Sequence, residues 1–274
     1  MINNWLEHNE QVSSYSFRSI YVREKAKPDN DTIEYLQEQI ITSYRNLGFY
    51  KFHLENSSEA EIRDYVLNQV IPEDITQIDK NVRQGDWGEI LSALIVAYFQ
   101  NLEVPINKLQ WKLNKDKAVF ATDLFAYNKG ETITDLYYYE IKTKLNPTVK
   151  AGKIPERFYI TVIAHNSLLK DENSPTESIA EFLERLFFEK KDYDEAKKFK
   201  DIVKNPQNYK RNFEMFFIID SKNFDKKILE ELNNLPPQLA PLNVTLIFID
   251  NLQVLVQKTW NDIESALVKL LKDE

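Results

Sequence analysis

Between residues 108 and 145, three strand-like runs follow one another with almost no chain between them. KLQWKL (108–113) is separated by an Asn-Lys-Asp turn from KAVFATDLFAY (117–127). An Asn-Lys-Gly turn at 128–130 then leads to TITDLYYYEIKTKL (132–145). Connections this short cannot carry a crossover, so the three runs are predicted to lie antiparallel, as a meander. Ahead of them, GDWGEILSALIVAYFQ (85–100) places Ile90, Leu91, Leu94, Ile95, Ala97 and Tyr98 at helical spacing. That pattern predicts a strongly apolar, largely buried helix. On this reading Glu89 falls in the helix's first turn, where a carboxylate suits the positive end of the dipole.

The rest of the chain supplies the covering layers. Helical stretches are predicted at about 155–170, 175–190 and 192–204. FEMFFIID (213–220) and NVTLIFID (243–250) are continuous apolar runs and read as buried strands. A helix between them is stopped by Leu235-Pro236-Pro237, and 251–273 is an amphipathic helix. Residues 1–80 read as an α-rich N-terminal extension, with helices at 30–46 and 58–70 and a strand at 15–23. The expected fold class is α/β, a mixed sheet flanked by helices, with residues 81–274 forming one compact unit.

Composition removes whole classes of chemistry. With 274 residues, 43% of them hydrophobic, the chain has material for a real core. It has no cysteine, which excludes disulfides, thiolate zinc sites and thiol nucleophiles. Its histidines are scattered (His8, His53 and His165), so a metal here is expected to use oxygen ligands, which favours Mg²⁺ or Mn²⁺. Five glycines, at 48, 85, 88, 130 and 152, build neither a P-loop nor a GxGxxG turn. No apolar run approaches the roughly 20 residues that span a bilayer, and MINNWLEHNEQ has no signal-peptide character. A soluble, cytoplasmic protein with no membrane partner is the expectation. The net charge of −8 argues against nucleic-acid binding over the whole surface but leaves room for a local basic groove.

The informative trio is Asp123, Glu140 and Lys142. A strand places residues i and i+2 on one face, so Glu140 and Lys142 project together. A short hairpin can bring Asp123 beside Glu140. Two converging carboxylates repel unless a cation lies between them; Mg²⁺ or Mn²⁺ is the natural occupant, with the backbone carbonyl of Ile141 available as a third oxygen ligand. Lys142 would orient the attacking water or stabilise charge developing on phosphate. The rival Glu-x-Lys patterns, at Glu189 and Glu195, lie in helical stretches where i and i+2 do not share a face. Asp220-Ser221-Lys222 ends a buried strand but lacks an obvious acid on the strand before it. His165 reads as a satisfied buried histidine and is left out of the catalytic set. The bland alternative for Glu140 and Lys142 is a solvated cross-strand pair.

The arrangement Asp-x16-Glu-x-Lys on consecutive strands resembles the PD-(D/E)xK nuclease superfamily. That resemblance implies a restriction-endonuclease-like α-β-β-β-α-β core over 81–274, with FEMFFIID as its fourth strand. In such proteins a leading helix often supplies a further acid, and Glu89 stands in that place, as a metal ligand that tunes or completes the site. A helix-dipole or capping role for Glu89 remains the alternative. Thr122, not proline, precedes Asp123, which departs from the motif. The GDWGE helix, the acid on the second strand, the strand-borne EIK and the helix holding His165 look like the nuclease subunit of Hachiman-type antiphage systems, HamA, over roughly 80–220. The implied function is metal-dependent hydrolysis of DNA phosphodiesters as a defence effector. The implied partner is a helicase or ATPase subunit of the HamB kind, since this chain carries no ATPase motif. Residues 141–155 hold Lys142, Lys144, Lys150 and Lys153 without an acid, and Lys144, Lys150 and Lys153 are candidate phosphate contacts. The rival expectations are a catalytically inert nuclease-fold interaction subunit and a stand-alone restriction endonuclease.

Overall fold

The computed structural model describes residues 1–12, 14–112, 115, 122–147, 149, 155–173, 178–236 and 238–272, residue 171 by its backbone only. The chain begins α1 (Ile2–Trp5), β1 (Leu6–Gln11), β2 (Arg18–Glu24), α2 (Asn30–Tyr44), α3 (Leu47–His53) and α4 (Glu59–Tyr65). Then come the long α5 (Gln77–Phe99), β3 (Leu102–Glu103), a 3-10 turn at Lys108–Trp111, β4 (Leu124–Asn128) and β5 (Asp135–Lys144). The remainder is α6 (Ile160–Glu172), α7 (Ser178–Glu189), α8 (Tyr193–Lys204), β6 (Lys210–Asp220), α9 (Lys227–Asn233), β7 (Leu242–Ile249), α10 (Leu252–Trp260) and α11 (Ile263–Lys272).

The strands form one seven-stranded mixed sheet in the order β1-β2-β7-β6-β5-β4-β3. Its centre is parallel, β2 with β7, β7 with β6 and β6 with β5, and both margins are antiparallel. The central strands β6 and β7 are buried almost throughout, as expected when helices cover both faces. One face packs Tyr139, Ile141, Phe216, Ile218 and Ile247 against Trp87, Leu91 and Ile95 of α5, together with α2, α10 and α11. The other packs Tyr138, Met215, Phe217 and Leu246 against α6, α7, α8 and α9. The fold class is therefore α/β, a mixed sheet flanked by helices. The segment 1–80 contributes helices to the first face and, through β1 and β2, two strands to the same sheet.

Three expectations are corrected. KLQWKL is not a strand: Lys108–Trp111 is a 3-10 turn, started where the Asn107 side chain accepts from the Leu109 N–H at 3.2 Å. The first strand of the meander is instead the short β3, paired with β4. Glu89 is not in a first turn. The helix begins near residue 77, where Thr76 and Asp79 form a capping box, so Glu89 lies in the helix's middle. The C-terminal helix is two helices, broken at Asn261-Asp262, where Asp262 takes a positive φ of 54°. Of the run 117–127, residues 117–121 lie outside the described residues, and the strand is described from Leu124.

Gly88 sets how closely α5 approaches the sheet. A Cβ there would stand 1.7 Å from Thr143 Oγ1 and 3.2 Å from Ile218 Cδ1. Only a residue without a side chain lets the helix backbone rest on β5 at this point. That contact carries the next residue, Glu89, to the edge of the site.

Candidate functional site

The β4–β5 register pairs Leu124 with Tyr139, so Asp123, one residue ahead of β4, stands level with Glu140. Pairing stops there, and the Ile141 N–H would lose its ladder partner. Asp123 Oδ2 accepts from that N–H at 2.9 Å instead. One carboxylate thus ends the ladder and is fixed at the point where the two strands part. From the neighbouring positions on β5, Lys142 Nζ donates to Glu140 Oε1 and lies 3.8 Å from Asp123 Oδ2. Period-2 alternation puts Glu140 and Lys142 on one face, as predicted from the sequence. Glu140 is buried and also accepts a hydrogen bond from Ser167 of α6.

On the other side of Asp123 stands a lysine that the sequence reading did not single out. Lys108 Nζ is 2.9 Å from Asp123 Oδ1 and 3.0 Å from Glu89 Oε1. The site is therefore a row of alternating charge: Glu89, Lys108, Asp123, Lys142, Glu140. Glu89 and Glu140 both neighbour Asp123 and no contact joins them directly. Four residues after Lys108, Lys112 Nζ is 2.7 Å from Asp86 Oδ1, and the Tyr44 hydroxyl donates to the same carboxylate. Asp86 and Glu89 share one face of α5, so the 3-10 turn lays two lysines onto two acids of a single helix. The spacing of acids three apart and lysines four apart was the available signal. It was hidden because 108–113 looked like a strand.

Burial dominates the electrostatics. Glu89 is pushed up to about 8 by desolvation, with Lys108 opposing the rise and Asp123 and Asp86 adding to it. Burial also raises Glu140, to about 7, and the facing Asp123 adds to this against Lys142. Lys108 moves upward: burial works against its charge, but Glu89 and Asp123 outweigh it. Three carboxyl groups thus face two ammonium groups in a poorly hydrated place, where burial makes the ionised form of Glu89 and Glu140 costly without a further cation. Glu89 Oε2 is buried and has no hydrogen-bond partner among the described residues.

These features bear on a metal. The donors are hard oxygens, with one carboxyl oxygen of Glu89 left without a partner among the described residues, which fits Mg²⁺ or Mn²⁺. Glu89, Asp123 and Glu140 would be its side-chain donors. Among the described residues no three acidic or histidine side chains are gathered closely enough to hold an ion as they stand. The lysines between them set that spacing. Ile141 engages the row through its N–H; nothing described bears on its carbonyl as a ligand.

The remaining candidates are placed as follows. Lys144 is exposed at the end of β5, while Lys150 and Lys153 lie outside the described residues. Tyr138 and Tyr139 are buried, Tyr138 against Phe125 and Phe213, so they serve the core. His165 is buried, with Nε2 3.3 Å from the Pro236 carbonyl oxygen.

A family model described as HamA matches residues 1–260. The chain belongs to the HamA family. The HamA match makes this a Hachiman-associated protein of antiphage defence. It extends well beyond the 80–220 that the motifs suggested, taking in β1 and β2 at one end and β7 and α10 at the other. No curated protein matches the sequence. Among the described residues, no helix is long and apolar enough to cross a membrane.

Proposed function

We propose that this HamA-family chain is a metal-dependent deoxyribonuclease of the PD-(D/E)xK type, the effector of its defence system. The observation that carries this reading is the row Glu89, Lys108, Asp123, Lys142, Glu140, seated where β4 and β5 part beside the long α5. The order α5, β3, β4, β5, then a helical crossover of α6, α7 and α8, then β6, is compatible with the α-β-β-β-α-β core of that superfamily.

When bound, Mg²⁺ or Mn²⁺ would supply Lewis acidity and make water a competent nucleophile near neutral pH. Asp123, fixed by the Ile141 N–H, would be the shared ligand, with Glu140 and Glu89 as the further acids that would hold the ion. Lys142 stands within reach of Glu140 and Asp123, where its ammonium can orient the attacking water and offset charge gathering on the phosphate. Ser167 and Lys142 hold the Glu140 carboxyl in place. Exposed Lys144 continues the same face of β5 outward and would meet a flanking phosphate, with Lys150 and Lys153 following it in sequence. With five glycines and no P-loop, the chain would depend on a helicase or ATPase subunit to move along DNA.

Plasmid cleavage with Mg²⁺ or Mn²⁺ tests this, comparing wild type with Asp123→Ala, Glu140→Ala and Lys142→Ala. Each variant is expected to lose at least about a hundredfold in rate, as when a group stabilising transition-state charge is removed. Unchanged cleavage in all three would overturn the assignment. An inactive wild type, alone and with its partner subunit, would favour a nuclease-fold interaction module.

A further inference from the structure

We propose that Lys108 is a built-in cation that holds the Glu89–Asp123 junction closed against a divalent metal, so that metal entry requires the Lys108 ammonium to leave. The inference rests on the metal-dependent reading above and concerns how that same site is regulated.

Distances carry the argument. Lys108 Nζ touches one oxygen of each acid, at 3.0 Å and 2.9 Å. These are ammonium–carboxylate contacts. Mg²⁺ binds oxygen at about 2.0–2.1 Å and Ca²⁺-sized ions at about 2.3–2.6 Å. Acids spaced by an ammonium are therefore too far apart for a small divalent ion between them. The ammonium must withdraw before they can close on one. Charge points the same way. One ammonium serves two carboxyl groups, and Glu89 Oε2 is left buried with no partner among the described residues. A divalent cation would satisfy both acids better than the lysine does, so the exchange is favourable once metal is available.

The turn carrying Lys108 is built to allow that exchange. Its far end is fixed: Lys112 is 4% exposed, with its ammonium on Asp86, which also accepts from Tyr44. Its near end is buried too, the Lys108 side chain being 7% exposed, but it borders the solvent edge through Glu89 and Asp123, whose side chains are 18% and 16% exposed. Lys108 is joined to Lys112 by a single 3-10 turn, a geometry with weaker hydrogen bonds than an α-helix. The Lys112–Asp86 rung can thus hold the segment on α5 while the Lys108 rung opens. Lys108 is a positioning residue in this scheme, acting through the two acids.

Mn²⁺ binding to the intact protein, measured by titration calorimetry, tests the proposal against Lys108→Gln, with Asp123→Asn as a control. The expected result is at least tenfold tighter Mn²⁺ binding by Lys108→Gln than by wild type, with binding lost in Asp123→Asn. Equal or weaker binding by a folded Lys108→Gln protein, still lost in Asp123→Asn, overturns the gate and leaves the metal site standing. No Mn²⁺ binding by either protein overturns both. Should Lys108→Gln fail to fold, wild type alone decides the matter. Amine-selective labelling read by mass spectrometry should modify Lys108 severalfold faster with Mn²⁺ than with chelator. An unchanged rate at Lys108 overturns the proposal.

Discussion

Among the described residues, Glu214 is the most deeply buried carboxyl outside the site, and its partners say what it costs. It lies inside β6, accepting from Thr245 Oγ1 and from Gln100 Nε2 at 3.0 Å to each oxygen. Burial raises it from 4.5 to about 7, and the hydrogen bonds from Thr245 and Gln100 only partly offset this. The folded state therefore binds this proton more tightly than the unfolded chain does. Its contribution to stability is fully present below about pH 4.5 and is lost as pH rises through about 7. On going from pH 8 to pH 4.5, wild type should gain up to about 3 kcal/mol over Glu214→Gln, read by urea unfolding at each pH. A constant difference between the two proteins would show that Glu214 does not titrate in this window. Residue-scale features were legible only where their cause is local. Glu140 and Lys142 follow from strand alternation alone, whereas Lys108 meets Glu89 and Asp123 through space. The matching spacing of Lys108 and Lys112 with Asp86 and Glu89 was masked by the strand-like pattern of 108–113.

At the scale of elements, the contact between α5 and β5 is the one on which the site depends. The Gly88 backbone occupies the space that Thr143 leaves, with a hypothetical Cβ 1.7 Å from Oγ1 and 3.0 Å from Cβ of Thr143. Gly88→Ala should destabilise the protein by about 1–3 kcal/mol despite alanine's better helix propensity, because overpacking here must lift a whole helix. Thr143→Ala in the same chain should recover part of the loss, since it removes the closer atom. A thermal-unfolding double-mutant cycle with additive effects would contradict this contact. Most helices and strands were readable from apolar periodicity, including α2, β5, β6 and β7. The start of α5 was not, because two glycines at 85 and 88 look like a beginning, whereas the Thr76–Asp79 box lies in a mostly polar stretch whose apolar residues Ile75 and Ile78 are exposed. The 3-10 turn at 108 was missed because KLQWKL alternates like a strand, while Lys108 and the following Lys112 are held by acids on another element.

For the whole molecule, the first and last parts of the chain share one sheet. β2 pairs in parallel with β7, and Glu24 accepts from the Asp250 N–H across 226 residues of sequence. Helix α2 packs against α11 and α10 on the same face. A fragment of residues 81–274 would expose the β7 edge and the apolar surface that α2 and α4 cover. Expressed alone, it should aggregate or give poorly dispersed NMR spectra. A well-folded monomeric fragment would show that the first 80 residues are dispensable to the core. The parallel seam between β2 and β7 also governs the order of events during synthesis. Ribosomes release the N-terminus first, yet β2 keeps one unsatisfied edge until β7 has emerged. Long-range parallel pairing of this kind is intrinsically slow to form. The nascent chain thus carries an unfinished sheet from the emergence of β2 until β7 has left the ribosomal exit tunnel.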